Sequence, residues 1–190
     1  LEHVSEIAPL YEQRRDILIQ KMGVLINEGI NCFSCTGLCC TFISNSMQTD
    51  PIQTLELYKF LLDRDRINDN LVSELRDVIR NNRLDNEIST GRGSTFRRTY
   101  TCPFYKKGEK GCTISPSHKP YGCLSFNARS ANASEGSDCG PDFDLLKSRE
   151  ERYEKKEDLA NQYLKEELTL YWDKRPMPVA LLEFIEKFSK

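Results

Sequence analysis

The 190 residues carry 27 Lys and Arg against 29 Asp and Glu, a formal net charge of −2, and 38% of them are hydrophobic. A chain of this length can bury a real core without cross-links, and its near-neutral balance supplies no basic field for nucleic acid or an anionic membrane surface. What departs from the ordinary is sulfur: 8 cysteines beside 2 histidines and 1 tryptophan.

From Val4 to Ile30, the apolar positions Ile7, Leu10, Tyr11, Ile17 or Leu18, Met22 and Leu25 recur at three- and four-residue intervals, which predicts one long amphipathic helix stopped by Gly29. A second helix starts at Pro51, with Asp50 as its N-cap and Gln53 three residues beyond the cap, and runs to about Arg64. A third follows Asn68 and Asp69 and buries Leu71, Leu75, Val78 and Ile79. Between Asn81 and Pro141 the helical period vanishes, while most of the glycines, half of the prolines and four cysteines gather there. A stretch this long needs something other than a helix stripe to stay compact. Ile88, Phe96 and Tyr100 suit a short strand before Cys102.

Helical spacing returns from Asp142 to Asp173, with Leu146, Tyr153, Leu159, Tyr163 and Leu170 on one side. Within it, the alternating charges of Ser148 to Asp158 read as a solvated helix face, or as a surface for a protein partner. Lys174 to Pro178 interrupts the pattern, and Val179, Leu182, Ile185 and Phe188 mark a last short helix. No apolar run reaches the roughly 20 residues of a membrane-spanning helix, so a membrane-embedded role is not expected. The sequence opens on Leu1 rather than methionine, so a targeting segment could precede it, and a cytoplasmic location is an inference from the thiols.

Cys32, Cys35, Cys39 and Cys40 form a C-x2-C-x3-C-C string in which Gly37 lets the backbone wrap tightly. In an oxidising compartment such thiols would be halves of disulfides; in a reducing one they would bind a soft metal. Metal is favoured, because several helices with apolar faces make staples unnecessary and because Cys39 and Cys40 pair poorly with each other. Cys102, Cys112, Cys123 and Cys139 each lie beside glycine or proline and are separated by nine, ten and fifteen residues. That is too wide for a zinc knuckle, and no second C-x2-C completes a zinc ribbon. Closely spaced cysteines plus remote ones suit an iron–sulfur cluster, 4Fe-4S in type, with Zn2+ as the alternative. His3 is terminal, and His118, in a polar Ser-Pro-Ser-His-Lys-Pro loop, reads as exposed.

These blocks resemble a family. The Cys32 to Cys40 string, Cys102-Pro-Phe104, Gly111-Cys-Thr-Ile114 and Lys119-Pro-Tyr-Gly-Cys-Leu-Ser-Phe126 occur in the order of the YkgJ-like cysteine-cluster proteins, described as zinc- or iron-chelating domains. The resemblance covers roughly residues 30 to 127 and implies metal-binding roles for Cys32, Cys35, Cys39, Cys40, Cys102, Cys112 and Cys123; Cys139 lies beyond it and is added as an eighth thiolate. One extra residue precedes Cys39, and Ser115, Lys119 and Leu124 stand where the family has tyrosine and two arginines.

Bacterial flagellin lysine methylases share a similar motif, yet no G-x-G-x-x-G follows a strand to hold a nucleotide cofactor. Gly91-Arg-Gly93, with Arg97 and Arg98 after it, reads as a loop leading into Cys102, although amides and arginines of this kind also suit a phosphate or carboxylate. A cysteine protease lacks its histidine and orienting carboxylate, and a thioredoxin-type site lacks the preceding strand. The expectation is a mainly α fold, with helices flanking an irregular cysteine-ligated metal core. It forms one domain over residues 1–190, with the metal-binding core at 30–140 and a helical extension at 142–190. Two functions stay open: an enzyme or enzyme subunit that uses an iron–sulfur cluster, and a zinc-stabilised structural or partner-binding module.

Overall fold

The computed structural model describes residues 2–7, 10–30, 37–86, 88–89, 95–106, 111–128 and 139–188. The chain is mainly helical. Its α-helices are α1 (Glu2–Ile7), α2 (Asp16–Asn27), α3 (Pro51–Leu62), α4 (Asp69–Asn82), α5 (Tyr121–Ser125), α6 (Phe143–Glu167) and α7 (Met177–Phe188). Short antiparallel pairs join β1 (Gln48–Thr49) to β6 (Arg175–Pro176), β2 (Ile88–Ser89) to β3 (Thr95–Phe96), and β4 (Phe126–Ala128) to β5 (Cys139–Pro141). Among the described residues no helix is long and apolar enough to cross a membrane.

The single helix expected over Val4 to Ile30 is two. Pro9 lacks the N–H that an interior helical position must donate and disfavours helix at the residue before it, so the pattern cannot run through. The chain turns, makes a 3-10 turn at Gln13–Arg15 and restarts as α2, leaving Leu10 exposed and burying Leu18, Met22 and Leu25. Gly29, at φ +80°, ends α2 as expected. The cap of α3 forms as read: Asp50 accepts from the Gln53 amide at 2.9 Å and from its side chain at 2.7 Å. Asn68 caps α4 by accepting from Leu71 at 3.0 Å, and Asp142 caps α6 by accepting from Leu145 at 3.0 Å.

The main core lies where α3 meets α7, with α4 and α6 beside them. Ile52, Leu55, Phe60 and Leu61 pack with Leu75, Ala160, Leu164, Ala180, Leu181 and Phe184, so the carboxyl-terminal helices supply the same core as the central ones. The β1–β6 pair fixes the starts of α3 and α7 side by side. A smaller cluster joins Leu18 and Met22 of α2 to Tyr121 and Leu124 of α5.

The charged run of α6 is not wholly a solvated face. Arg149, Tyr153, Glu157, Ala160 and Leu164 form its buried stripe, whereas Leu159 is exposed. Arg149 and Glu157 turn inward because partners wait there. Glu157 accepts from Arg14 Nη1 at 2.9 Å, from the Tyr121 hydroxyl at 2.5 Å and from Arg149; Glu56 pairs with Arg14 and, at 2.8 Å, with Arg15. Arg15 Nε donates to the Lys119 carbonyl at 2.8 Å, and Arg149 Nε to the Arg14 carbonyl at 2.9 Å. The Arg149 guanidinium lies 3.4 Å from the Tyr121 ring centroid. Burial pushes the Glu157 carboxyl upward, but the hydrogen bond and charge of Arg149, with hydrogen bonds from Tyr121 and Arg14, hold it below the usual value. Burial, opposed by Tyr121 and reinforced by Arg14 and Arg149, brings Arg15 down to about 10, still charged at neutral pH.

His118, read as exposed, is half-buried between two rings, with centroids 4.5 Å from Tyr11 and 4.6 Å from Phe60. Polar neighbours in sequence concealed these partners, which come from other segments. Burial and the charges of Arg15 and Arg64 lower it to about 4, so it is neutral at pH 7.

Removing the shared acceptor strands buried donors, so Glu157→Leu should cost roughly 3–5 kcal/mol in urea unfolding. Asp77→Asn, which breaks the exposed Arg80–Asp77 pair, should cost about 0–1 kcal/mol. Because its folded value lies below its unfolded one, His118 contributes stability that is present above about pH 6.5 and lost toward pH 4. His118→Gln should therefore show a smaller fall in urea midpoint between those pH values, and an equal fall would refute the assignment.

Candidate metal centre

Gly37, at φ +74°, adopts a left-handed conformation that opens the single 3-10 turn Leu38–Cys40. The Cys40 amide donates to the Gly37 carbonyl at 2.8 Å, and the Cys39 and Cys40 sulfurs lie 3.8 Å apart. A side chain at position 37 would also collide with Tyr105, whose hydroxyl would lie 2.6 Å from the new Cβ. Glycine is therefore demanded twice, by backbone conformation and by close approach.

The next cysteines are stitched to this turn through the backbone. Cys102 N–H donates to the Cys40 carbonyl at 2.8 Å, and Tyr105 N–H to the Cys102 carbonyl at 3.1 Å. Tyr105 then bridges antiparallel to Cys112, with Thr113 N–H on the Phe104 carbonyl at 3.0 Å. The Ile114 amide donates to the Cys112 sulfur at 3.4 Å, an interaction that favours the thiolate. Cys123 lies on α5, two residues past Tyr121, so the arginine-held phenol and this thiol share one short helix. Cys139 opens β5 opposite Ala128.

Cys102 is pushed well above the ordinary thiol range by burial first, then by Cys123, Cys112 and Cys39, while a backbone hydrogen bond from Phe104 opposes the shift. Cys39 is pushed up by its hydrogen bond with Cys40, by burial and by the Cys40 charge; Lys119 acts in the other direction. Lys119, which stands where the resembled family has arginine, is buried and puts its positive charge to work on this thiol. Tyr100, fully buried, donates to the Met47 carbonyl at 2.7 Å, and its phenol is raised by burial and then by Cys102 and Cys123.

No disulfide joins Cys39, Cys40, Cys102, Cys112, Cys123 and Cys139 to one another. Backbone bonds join the Cys39–Cys40 turn to Cys102 and, through Tyr105, to Cys112; Cys32 and Cys35 lie outside the described residues. Among the described residues, no group of three or more His, Cys, Asp or Glu could hold a metal ion as placed. The donor chemistry nevertheless fits a soft metal. As thiolates these groups would repel one another, and burial makes each deprotonation harder, so a cation at their centre would reverse the sign of every one of those interactions.

The sequence reading missed the arginine–carboxylate network. It borders a cleft of about 680 Å³, whose floor includes Asp50, Gln53, Tyr121, Arg149 and Glu157. The available signal was the Arg14-Arg15 pair at apolar spacing and the alignment of Arg149 with Tyr153 and Glu157 on α6.

No protein-family model, no curated protein and no solved structure matches this chain.

Proposed function

We propose that the chain is a metal-binding cysteine-cluster protein in which thiolates of Cys32, Cys35, Cys39, Cys40, Cys102, Cys112 and Cys123 hold an iron–sulfur centre, with Cys139 as a peripheral eighth thiolate. The observation that carries the reading is Cys102: a half-buried thiol whose amide donates to the Cys40 carbonyl and whose carbonyl accepts from Tyr105, the bridge partner of Cys112. The backbone thus links thiols from three points of the chain, and the Ile114 amide donated to the Cys112 sulfur supports a thiolate there. When bound, such a centre supplies a redox couple or, with one position open, a Lewis acid. The chain itself supplies the turn at Gly37, the positive charge of Lys119 and the dry floor of Tyr100.

The test is metal analysis of protein prepared without oxygen. Iron with acid-labile sulfide and brown colour are expected. Stoichiometric zinc in colourless protein would replace the cluster by a closed structural site, and protein that takes up neither metal would overturn the proposal. Cys102→Ser and Cys112→Ser should lose most of the metal and Cys139→Ser the least; equal content in all three refutes the ligand assignment. Gly37→Ala should lower metal content although it removes no sulfur. Stripping the metal with a chelator should loosen the central segment, since a structural site of this kind contributes on the order of 10 kcal/mol to folding.

A further inference from the structure

A second site lies at the other end of α4. Its last turns, with α7 alongside, form a cleft of about 590 Å³ whose lining includes the cations Arg76, Arg80, Arg83 and Arg98, the apolar Ile79 and Leu182, and one carboxylate, Asp85, beside Asn86. Arginines at the end of a helix are ordinary, since they complement the carbonyl end of its dipole. That accounts for Arg80 and Arg83 but not for Arg98, which arrives from the segment after β3. The Arg98 Nε is buried and has no hydrogen-bond partner among the described residues. An N–H withdrawn from water without an acceptor is costly to folding, so the position invites an acceptor that is not part of the chain.

The other cations are not equally engaged. Arg76 pairs with Glu186 at 3.0 Å and Arg80 with Asp77 at 2.7 Å, both exposed. Arg83 and Arg98 have no carboxylate partner among the described residues. Arg83 sits at φ +50°, in the left-handed conformation that closes α4, and its exposed side chain lines the cleft. Two guanidiniums that form no ion pair among the described residues face one cleft, where four arginines outnumber the single carboxylate Asp85, beside an apolar wall of Ile79 and Leu182.

We propose that this cleft binds the phosphoryl group of a small phosphorylated molecule, with Arg83 and Arg98 on the phosphoryl oxygens and the organic part against Ile79 and Leu182. Guanidinium groups match phosphate geometry and remain charged at any working pH. The cleft lies within the size range of small-ligand sites. The proposal is independent of the metal centre, since none of its residues is a cysteine or touches one in the contacts described above.

Calorimetric titration of the full chain with AMP and with inorganic phosphate at low ionic strength tests it. Saturable binding is expected for both, with AMP tighter and both weakened by added salt. Arg98→Gln, and Arg83→Asn, which retains a residue tolerant of the left-handed conformation, should each weaken AMP by about tenfold or more. Lys147→Gln, a change to an exposed cation on α6, should leave it unchanged. On the unaltered chain, AMP should protect Arg83 and Arg98, but not Arg152, from modification by phenylglyoxal. This readout does not depend on the folding of any variant. Absence of saturable binding, equal weakening by Lys147→Gln, or modification of Arg83 and Arg98 at the same rate with and without AMP would overturn the proposal.

Discussion

The structure turns on a buried meeting of charges. Arg14 and Arg15, between α1 and α2, reach Glu56 on α3; Arg14 and Arg149 reach Glu157 on α6; and the Tyr121 hydroxyl of α5 closes the set on Glu157. Four segments far apart in sequence are thereby fixed in one orientation. An apolar interface could hold the same helices together with equal or greater stability, but it would tolerate sliding and rotation. Directional hydrogen bonds among guanidinium, carboxylate and phenol groups do not, so the network sets the register of the helices around it, and above all that of α5.

Register at α5 matters because the helix carries both Tyr121 and Cys123. The phenol is held by Glu157 and covered by the Arg149 guanidinium, while the thiol two residues later acts on Cys102 and Tyr100. Gly122 between them packs against the end of the Met47 side chain, where an added Cβ would sit 2.7 Å from the methyl carbon. On the other side, Cys102 and Cys112 pack against the main core. The thiols are therefore braced by the helices on two sides, even though the segments that bear them have little regular structure. A metal centre formed there inherits its geometry from packing as well as from its own coordination demands.

The helices were largely legible, and the reasons are local. Asp50, Pro51 and Gln53 declare the start of α3 within four residues, because capping hydrogen bonds are made within a single turn; Asn68 does the same for α4 and Gly29 for the end of α2. Failures came where a partner decides. Arg149 and Glu157 sit in a run of alternating charge that has every mark of a wet helix face, and partners far along the chain, Arg14 at 143 positions from Glu157 and Tyr121 at 36, turn them inward. His118 has polar neighbours along the chain and aromatic ones in space. Leu10 fits the apolar period of a helix that Pro9 does not allow. For the cysteines, spacing and flanking residues named the candidates, but which sulfurs meet depends on long-range backbone bonds such as that from Cys102 to Cys40, which no spacing encodes.

Two sources of organisation thus divide the molecule. The helical part has its apolar core and charged network; the segment from Asn81 to Pro141 is tied to it through α5 and through Phe104, Ile114, Tyr121 and Leu124, and its described remainder is short strand pairs, turns and thiols. Without a cation, the thiol pocket gains nothing from ionisation, because burial and mutual repulsion keep Cys39 and Cys102 protonated. A metal held there, as proposed, would exchange those protons for coordination bonds and cross-link the segment, and acid would weaken that cross-link by returning the protons.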